Sequence, residues 1–344
     1  MAKSKKTTSK SFLNRIKQYS GALIILAVLV VFLAFTTNTF MRVNNLLSVL
    51  SNICVNGLLA AGITCVIIIG CIDLSIGSTV AATGVVAVVL NTTYGWNVWV
   101  SIIIAVFAGG IVGAINGTIR AKTMLPPFII TLAMQQTIRG VAYVFTGGSP
   151  VISIDKTFNE IGKASWPVIT GSDGTVLFGG LPVIFYIMLV ALIIVSLILG
   201  RTRLGRHMYA VGGNMEAAKH SGISYTKVSL AAYTIMGFMA GLAGVIMASR
   251  LYSGQPTIGT DYGTDAIASA VLGGTAFGGG YGTITGSFIG ACIIGVLNSG
   301  MTHLKIDSYW QMVVKGILIL IAVYFDSIKD KIKYKKKKVT GAVA

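Results

Sequence analysis

Negative charge is almost missing from this sequence. Its 344 residues hold 10 Asp and Glu, and only one of these, Asp73, precedes residue 155. Charged residues of both signs reach 11%, where soluble domains carry about a quarter. With 54% hydrophobic residues and a mean hydropathy of +0.81, a soluble fold would leave too much apolar surface uncovered. Cysteine is scarce too. Cys54, Cys65, Cys71 and Cys292 lie in or beside apolar runs without metal-ligand spacing, so they read as packing residues and no metal site is expected. There is no G-x4-G-K-[ST] phosphate loop. Gly162-Lys163 is followed by Ala164, and the glycine-rich stretch 273–286 has no lysine. If ATP drives this protein, another chain must hydrolyse it. Paired histidines, H-E-x-x-H and G-x-S-x-G are absent, which leaves no pattern for an intramembrane enzyme. No cofactor is expected.

What is present is a series of long apolar runs. A helix needs about 20 apolar residues to cross a hydrocarbon core of ~30 Å. About ten such runs can be drawn: 21–36, 46–70, 75–90, 98–119, 126–145, 181–200, 228–249, 264–280, 283–301 and 308–325. The fold class is therefore an all-α, polytopic membrane protein. The first run ends in FTTNTF without an A-x-A-like cleavage site, so it reads as an uncleaved span. The body is expected over 21–326, between basic tails 1–20 and 327–344. The net charge of +17 is placed asymmetrically. With both ends cytoplasmic, 20 cations fall inside and five outside, namely Arg42, Lys156, Lys163, Arg250 and Lys305. That is the positive-inside pattern, and it favours contact with anionic lipid over nucleic acid. Arg139 and Lys315 lie within spans, where both can snorkel. Gln135 and Gln136 beside Arg139 also allow a polar interior.

Two connections are long. The first, 146–180, falls outside. It has nearly balanced charge and carries Trp166, Pro150 and Pro167; it could be a docking surface or a passive lid. The second, 201–227, falls inside as a polar island. Asn214 is a good N-cap, Glu216 follows in the first turn, Lys219 and His220 close the last, and Gly222 stands at the stop. A helix of about seven residues over 215–221 is too short to hold itself in water. It must lean on a surface, either the membrane face or a partner protein.

Within the membrane, Asp73 sits among Ser75, Ser78, Gly70 and Gly77. A charge at mid-bilayer costs at least ~2.5–3.5 kcal/mol, so Asp73 caps the next helix, finds a partner or lines a wet pathway. The second half echoes the first. Asp265 opens TDAIASAVLGG as Asp73 opens IDLSIGSTVAATG, and Asn116 and Asn298 follow near the ends of the next spans. This is a weak internal repeat of the kind transporters use. Gln255, Asp261 and Tyr262 crowd the outer end of the 264–280 run. Glycines at G-x3-G spacing (Gly109, Gly113 and Gly117; Gly237 and Gly241; Gly286 and Gly290) predict close helix packing. The few charges along this path are of mixed sign, which suits a neutral polyhydroxylated solute. The pathway candidates are Asp73, Ser75, Ser78, Asn116, Gln135, Arg139, Gln255, Tyr262, Asp265 and Asn298.

Several blocks carry a family resemblance. Glu216-Ala217-Ala218, three residues, then Gly222 resembles the EAA-x3-G core of the coupling loop in ABC-importer permeases. GCIDLSIGSTVA (70–81), TGGSPV (146–151), GRHMYAVGGNMEAAKHSGI (205–223), the glycine-rich block 253–283 and SYWQMVVKG (308–316) are similar to the ribose-type monosaccharide permeases. The Leu-Pro ending of the longer importer pattern is missing, as it generally is in the sugar branch. The resemblance implies a coupling site at Gly213, Asn214, Glu216, Ala217, Ala218 and Gly222, docked on a separate ABC ATPase subunit. It also implies an extracytoplasmic sugar-binding protein, a second permease copy in a homodimer, and a ribose-like monosaccharide as substrate. The competing reading is an ion-coupled secondary transporter with Asp73 or Asp265 as proton carrier.

Overall fold

The computed structural model describes residues 2–167, 169–170 and 176–339, and helices dominate it. The first half contains α1 (Ala2–Thr36), α2 (Val43–Ile68), α3 (Ile76–Val88, extended by a π turn over Val89–Thr93), α4 (Val98–Thr123) and α5 (Pro127–Thr146). A linking region carries α6 (Lys156–Lys163), α7 (Val183–Arg201), α8 (Arg203–Gly213) and α9 (Met215–His220). The second half contains α10 (Tyr225–Arg250), α11 (Tyr262–Leu272), α12 (Ile284–His303) and α13 (Ser308–Val339). Short antiparallel ribbons join Val151–Ile152 to Ser253–Gly254, Ser165–Trp166 to Leu181–Pro182, and Ile169–Thr170 to Val176–Phe178.

Among the described residues, eight helices are long and apolar enough to cross a membrane, and Ser308–Ile321 adds a shorter apolar stretch at the start of α13. The expected span 264–280 is not one helix. Its helical part, α11, has 11 residues, about 16 Å at 1.5 Å per residue and roughly half of a hydrocarbon core. Glycine explains the break. Gly273, Gly274, Gly278, Gly279 and Gly280 are poor helix formers, a property that an apolar count does not register. Non-helical backbone at this depth must be paired inside the protein. Accordingly, Ala276 N–H bonds the Tyr281 carbonyl at 3.0 Å and Gly280 N–H bonds the Ile68 carbonyl at 2.8 Å.

The two halves answer each other. α4 packs on α10, and α12 packs on α2. α3 also lies on α10, and α11 on α2, while α2 meets α10 between them. Each short helix also touches the next two of its own half: α3 touches α4 and α5, and α11 touches α12 and α13. The bundle has an island end, where α8 and α9 sit, and an opposite end, where α6 sits. α3 and α11 start close to each other, with Gly77 against Gly259, and run apart, α3 toward the opposite end and α11 toward the island end, so the repeat is inverted. The small-residue spacing does its expected work. A Cβ at Gly109 or Gly113 would strike the backbone of Gly237 or Tyr233 across the α4–α10 seam, so these helices touch backbone to backbone.

The long connection at the opposite end is a folded cap. Asp155 accepts the Phe158 N–H at 3.1 Å and starts α6. Phe158 is fully buried beside Val245 and Ala248. Ser249 Oγ donates to the Phe158 carbonyl at 2.5 Å and accepts from Gly162 N–H at 2.7 Å, which ties α6 to the end of α10.

Candidate functional site

The aspartates and asparagines of the repeat come together toward each end of the bundle, Asp265 with Asn298 directly and Asp73 with Asn116 through Ser75. Toward the opposite end, Asp265 lies in the first turn of α11, where a negative charge suits the helix dipole. Its Oδ2 accepts from Asn298 Nδ2 at 3.1 Å and from Lys315 Nζ at 3.2 Å. Lys315 also reaches Asp261 at 3.8 Å. It therefore points inward rather than snorkelling. Arg250 closes the last turn of α10. It donates to the Ser51 carbonyl at 3.3 Å and to Asn52 Oδ1 at 3.1 Å, binding α10 to α2. Asn56 Nδ2 donates to Ser269 Oγ at 2.9 Å. Asn52, Asn56, Arg250, Tyr262, Asp265 and Asn298 wall a cavity of about 130 Å³ between α2, α10, α11 and α12.

The pair toward the island end is sealed. Asp73 is 3% exposed and sits in the turn between α2 and α3. Its Oδ1 accepts the Ser75 N–H at 2.8 Å and the Ser75 hydroxyl at 2.6 Å, while Asn116 Nδ2 donates to Ser75 Oγ at 2.9 Å. Asp73 is not the helix cap: Ser75 holds that position, and the carboxylate makes a turn onto the Ser75 amide just before α3. Ser78 is buried in the first turn of α3. Tyr233 donates to the Ile72 carbonyl at 3.1 Å and fixes the turn to α10. Among the described residues no lysine or arginine forms an ion pair with Asp73.

The other pathway candidates do not line the cavity. Arg139 donates to the carbonyls of Pro256 and Ile258, so it clamps α5 to the connection that precedes α11. Gln255 bonds Ser253 Oγ at 3.0 Å within that connection. Gln135 is half-buried on α5. Sequence reasoning missed three polar cavity residues, Asn52, Asn56 and Arg250. Asn52 and Asn56, one helical turn apart, share a face of α2, and that spacing was the available signal.

The polar island is two helices, not one. α9 matches the expected short helix. Asn214 accepts the Ala217 N–H at 2.9 Å, Glu216 is in the first turn, Lys219 and His220 are in the last, and Gly222 has φ +79°. Ala218 is buried in the main core, whereas Gly213, Glu216, Ala217, Lys219, His220 and Gly222 are exposed. α8, which had not been foreseen, is capped by Thr202 and turns Leu204, Met208 and Val211 inward at helical spacing. At its end Gly212 lies against Ile68 and Gly280, and a Cβ there would run into the Ile68 carbonyl oxygen. Tyr209 donates to the Gly282 carbonyl at 2.8 Å, and burial pushes its phenol above the ordinary range. α9 is thus joined to both breaks in the membrane helices, the turn after α2 and the glycine turns after α11.

An all-α bundle with an inverted repeat, paired polar groups at two interior breaks and an exposed capped helix at one end defines a polytopic membrane permease. The chain belongs to the family described as branched-chain amino acid transport system / permease component, whose model matches residues 45–323. It is 41% identical over 309 residues to the ribose import permease protein RbsC of Escherichia coli (strain K12), covering 90% of this chain and 94% of the relative. It is 38% identical over 317 residues to RbsC of Bacillus subtilis (strain 168), covering 92% and 94%. The xylose transport system permease protein XylH of Escherichia coli (strain K12) is 32% identical over 352 residues, covering 88% and 90%. No solved structure matches the chain.

Proposed function

We propose that this permease carries a ribose-like monosaccharide into the cell, driven by a separate ABC ATPase that grips α9. The observation that carries the mechanism is the joint at Gly212. It links an exposed, well-capped helix to Ile68 and Gly280, beside the two interior breaks. A push on α9 would act on both. The sugar assignment is supported by the likeness to ribose and xylose permeases, and by a cavity wall whose two charges, Arg250 and Asp265, are of opposite sign, with Lys315 and Asp261 paired beside it. On this reading the island end is cytoplasmic and the α6 end faces an extracytoplasmic sugar-binding protein. The coupling residues are Gly213, Asn214, Glu216, Ala217, Ala218 and Gly222. Two permease copies present two α9 helices to two nucleotide sites.

The test is reconstitution of the chain with its ATPase and binding protein in sealed vesicles. Ribose uptake that requires ATP and survives an uncoupler is the expected result. Uptake that survives ATP depletion but stops with an uncoupler would instead establish the secondary-transport reading. Glu216→Arg is expected to abolish both ATPase co-purification and uptake; retention of both would remove α9 as the docking site.

A further inference from the structure

The cavity beside Asp265 has an unusual hydrogen-bond account. Asn56 gives one amide hydrogen to Ser269 and Asn298 gives one to Asp265, while Lys315 donates to Asp265, and Arg250 to Ser51 and Asn52. The buried atoms of the cavity wall that are left without a partner are both acceptors. The side-chain oxygens Asn56 Oδ1 and Asn298 Oδ1 are buried and have no hydrogen-bond partner. Buried polar atoms without a partner are uncommon in folded proteins, and each asks what completes it. Both residues line the same cavity of about 130 Å³. That is room for about four waters at their liquid share of ~30 Å³.

The missing ligand must therefore donate protons. A carboxylate offers none, and a phosphate would bring its own negative charge against Asp265 in the wall, so neither fits. A cation would donate, but Arg250 lines the cavity and Lys315 stands behind Asp265. An uncharged hydroxyl meets the requirement without a charge penalty. Val55, Leu59 and Met247 supply an apolar wall that suits the C–H face of a sugar ring. With two open acceptors, the site orients a polyol without holding it tightly.

We propose that this cavity is a transit subsite for a neutral polyhydroxylated solute, which docks by donating hydroxyl protons to Asn56 Oδ1 and Asn298 Oδ1. The proposal rests on the transport reading above. Its test uses the complete transporter in vesicles with radiolabelled ribose as the probe. Asn56→Leu removes the acceptor at similar size and is expected to lower uptake by about tenfold, the worth of one hydrogen bond. Asn56→Gln keeps both the acceptor oxygen and the amide that serves Ser269 and is expected to restore most of the rate. Unchanged uptake in Asn56→Leu overturns the subsite. A wild-type complex that hydrolyses ATP but moves no ribose refutes the sugar reading instead, so the two failures are distinguishable. If Asn56→Leu does not assemble with the ATPase, Asn298→Cys decides. A small water-soluble thiol reagent should label it above the wild-type background, and high ribose should slow that labelling severalfold. Labelling that ignores ribose overturns the subsite.

Discussion

Asp73 and Asp265 occupy corresponding places in the two halves, each near an asparagine of the following long helix, yet their surroundings differ. Asp265 has a cation, Lys315, and borders a cavity. Asp73 has hydrogen bonds from Ser75 and, among the described residues, no cation. The same residue type thus serves two physical ends. Beside the cavity, an ion pair keeps a polar wall neutral in sum while leaving amide oxygens open. In the sealed turn, the carboxylate holds the amide and hydroxyl of Ser75, just ahead of α3, and ties the break closed.

Breaking the ion pair from one side should have the largest effect. Lys315→Met leaves Asp265 buried beside Asn298 alone, and loss of about 3–5 kcal/mol is expected, read as a lower thermal midpoint of the purified permease. Asp265→Asn added to Lys315→Met removes both charges and should return stability to within about 1 kcal/mol of wild type, because a neutral pair carries no stranded charge. If the double variant is no better than the single one, Lys315 matters for packing rather than for charge. Asp73→Leu should come next. It strands the Ser75 N–H and hydroxyl, at about 1–3 kcal/mol for an unsatisfied buried donor. Asp73→Asn keeps an acceptor for the Ser75 amide and should cost about 1 kcal/mol or less. An Asp73→Asn loss as large as that of Lys315→Met would mean that the negative charge itself is needed in the sealed turn, and the contrast between the two sites would fall. The smallest effect is expected from Asn298→Leu, about 1 kcal/mol by thermal melting, since Lys315 still serves Asp265.

The sequence made Asp73 legible because it is the one acid before residue 155, and Asp265, Asn116 and Asn298 because their placement repeats between the halves. The α9 helix was legible because capping is local chemistry: Asn214 and Gly222 act within a few residues of themselves. Lys315 was not assigned to Asp265, because the two lie 50 residues apart and only the packing of α13 on α11 joins them. The 264–280 run read as a span because hydropathy measures what lipid tolerates and not whether the backbone is helical. Arg139 looked like a pathway residue for the same reason. A lone cation in an apolar helix has no visible partner until a distant connection, here 256–258, supplies carbonyl oxygens.

Where Gly212 passes Ile68 and Gly280, three strands of main chain lie in direct contact with no side chain between them. Side chains can rotate and absorb a displacement, but bare peptide cannot. The junction therefore has almost no play, and a small shift at α9 arrives in the membrane at nearly full amplitude. It also divides the freedom to vary. On the proposed docking, the outward face of α9 is free to vary with its partner, while a Cβ on the glycine behind it would run into the Ile68 carbonyl oxygen.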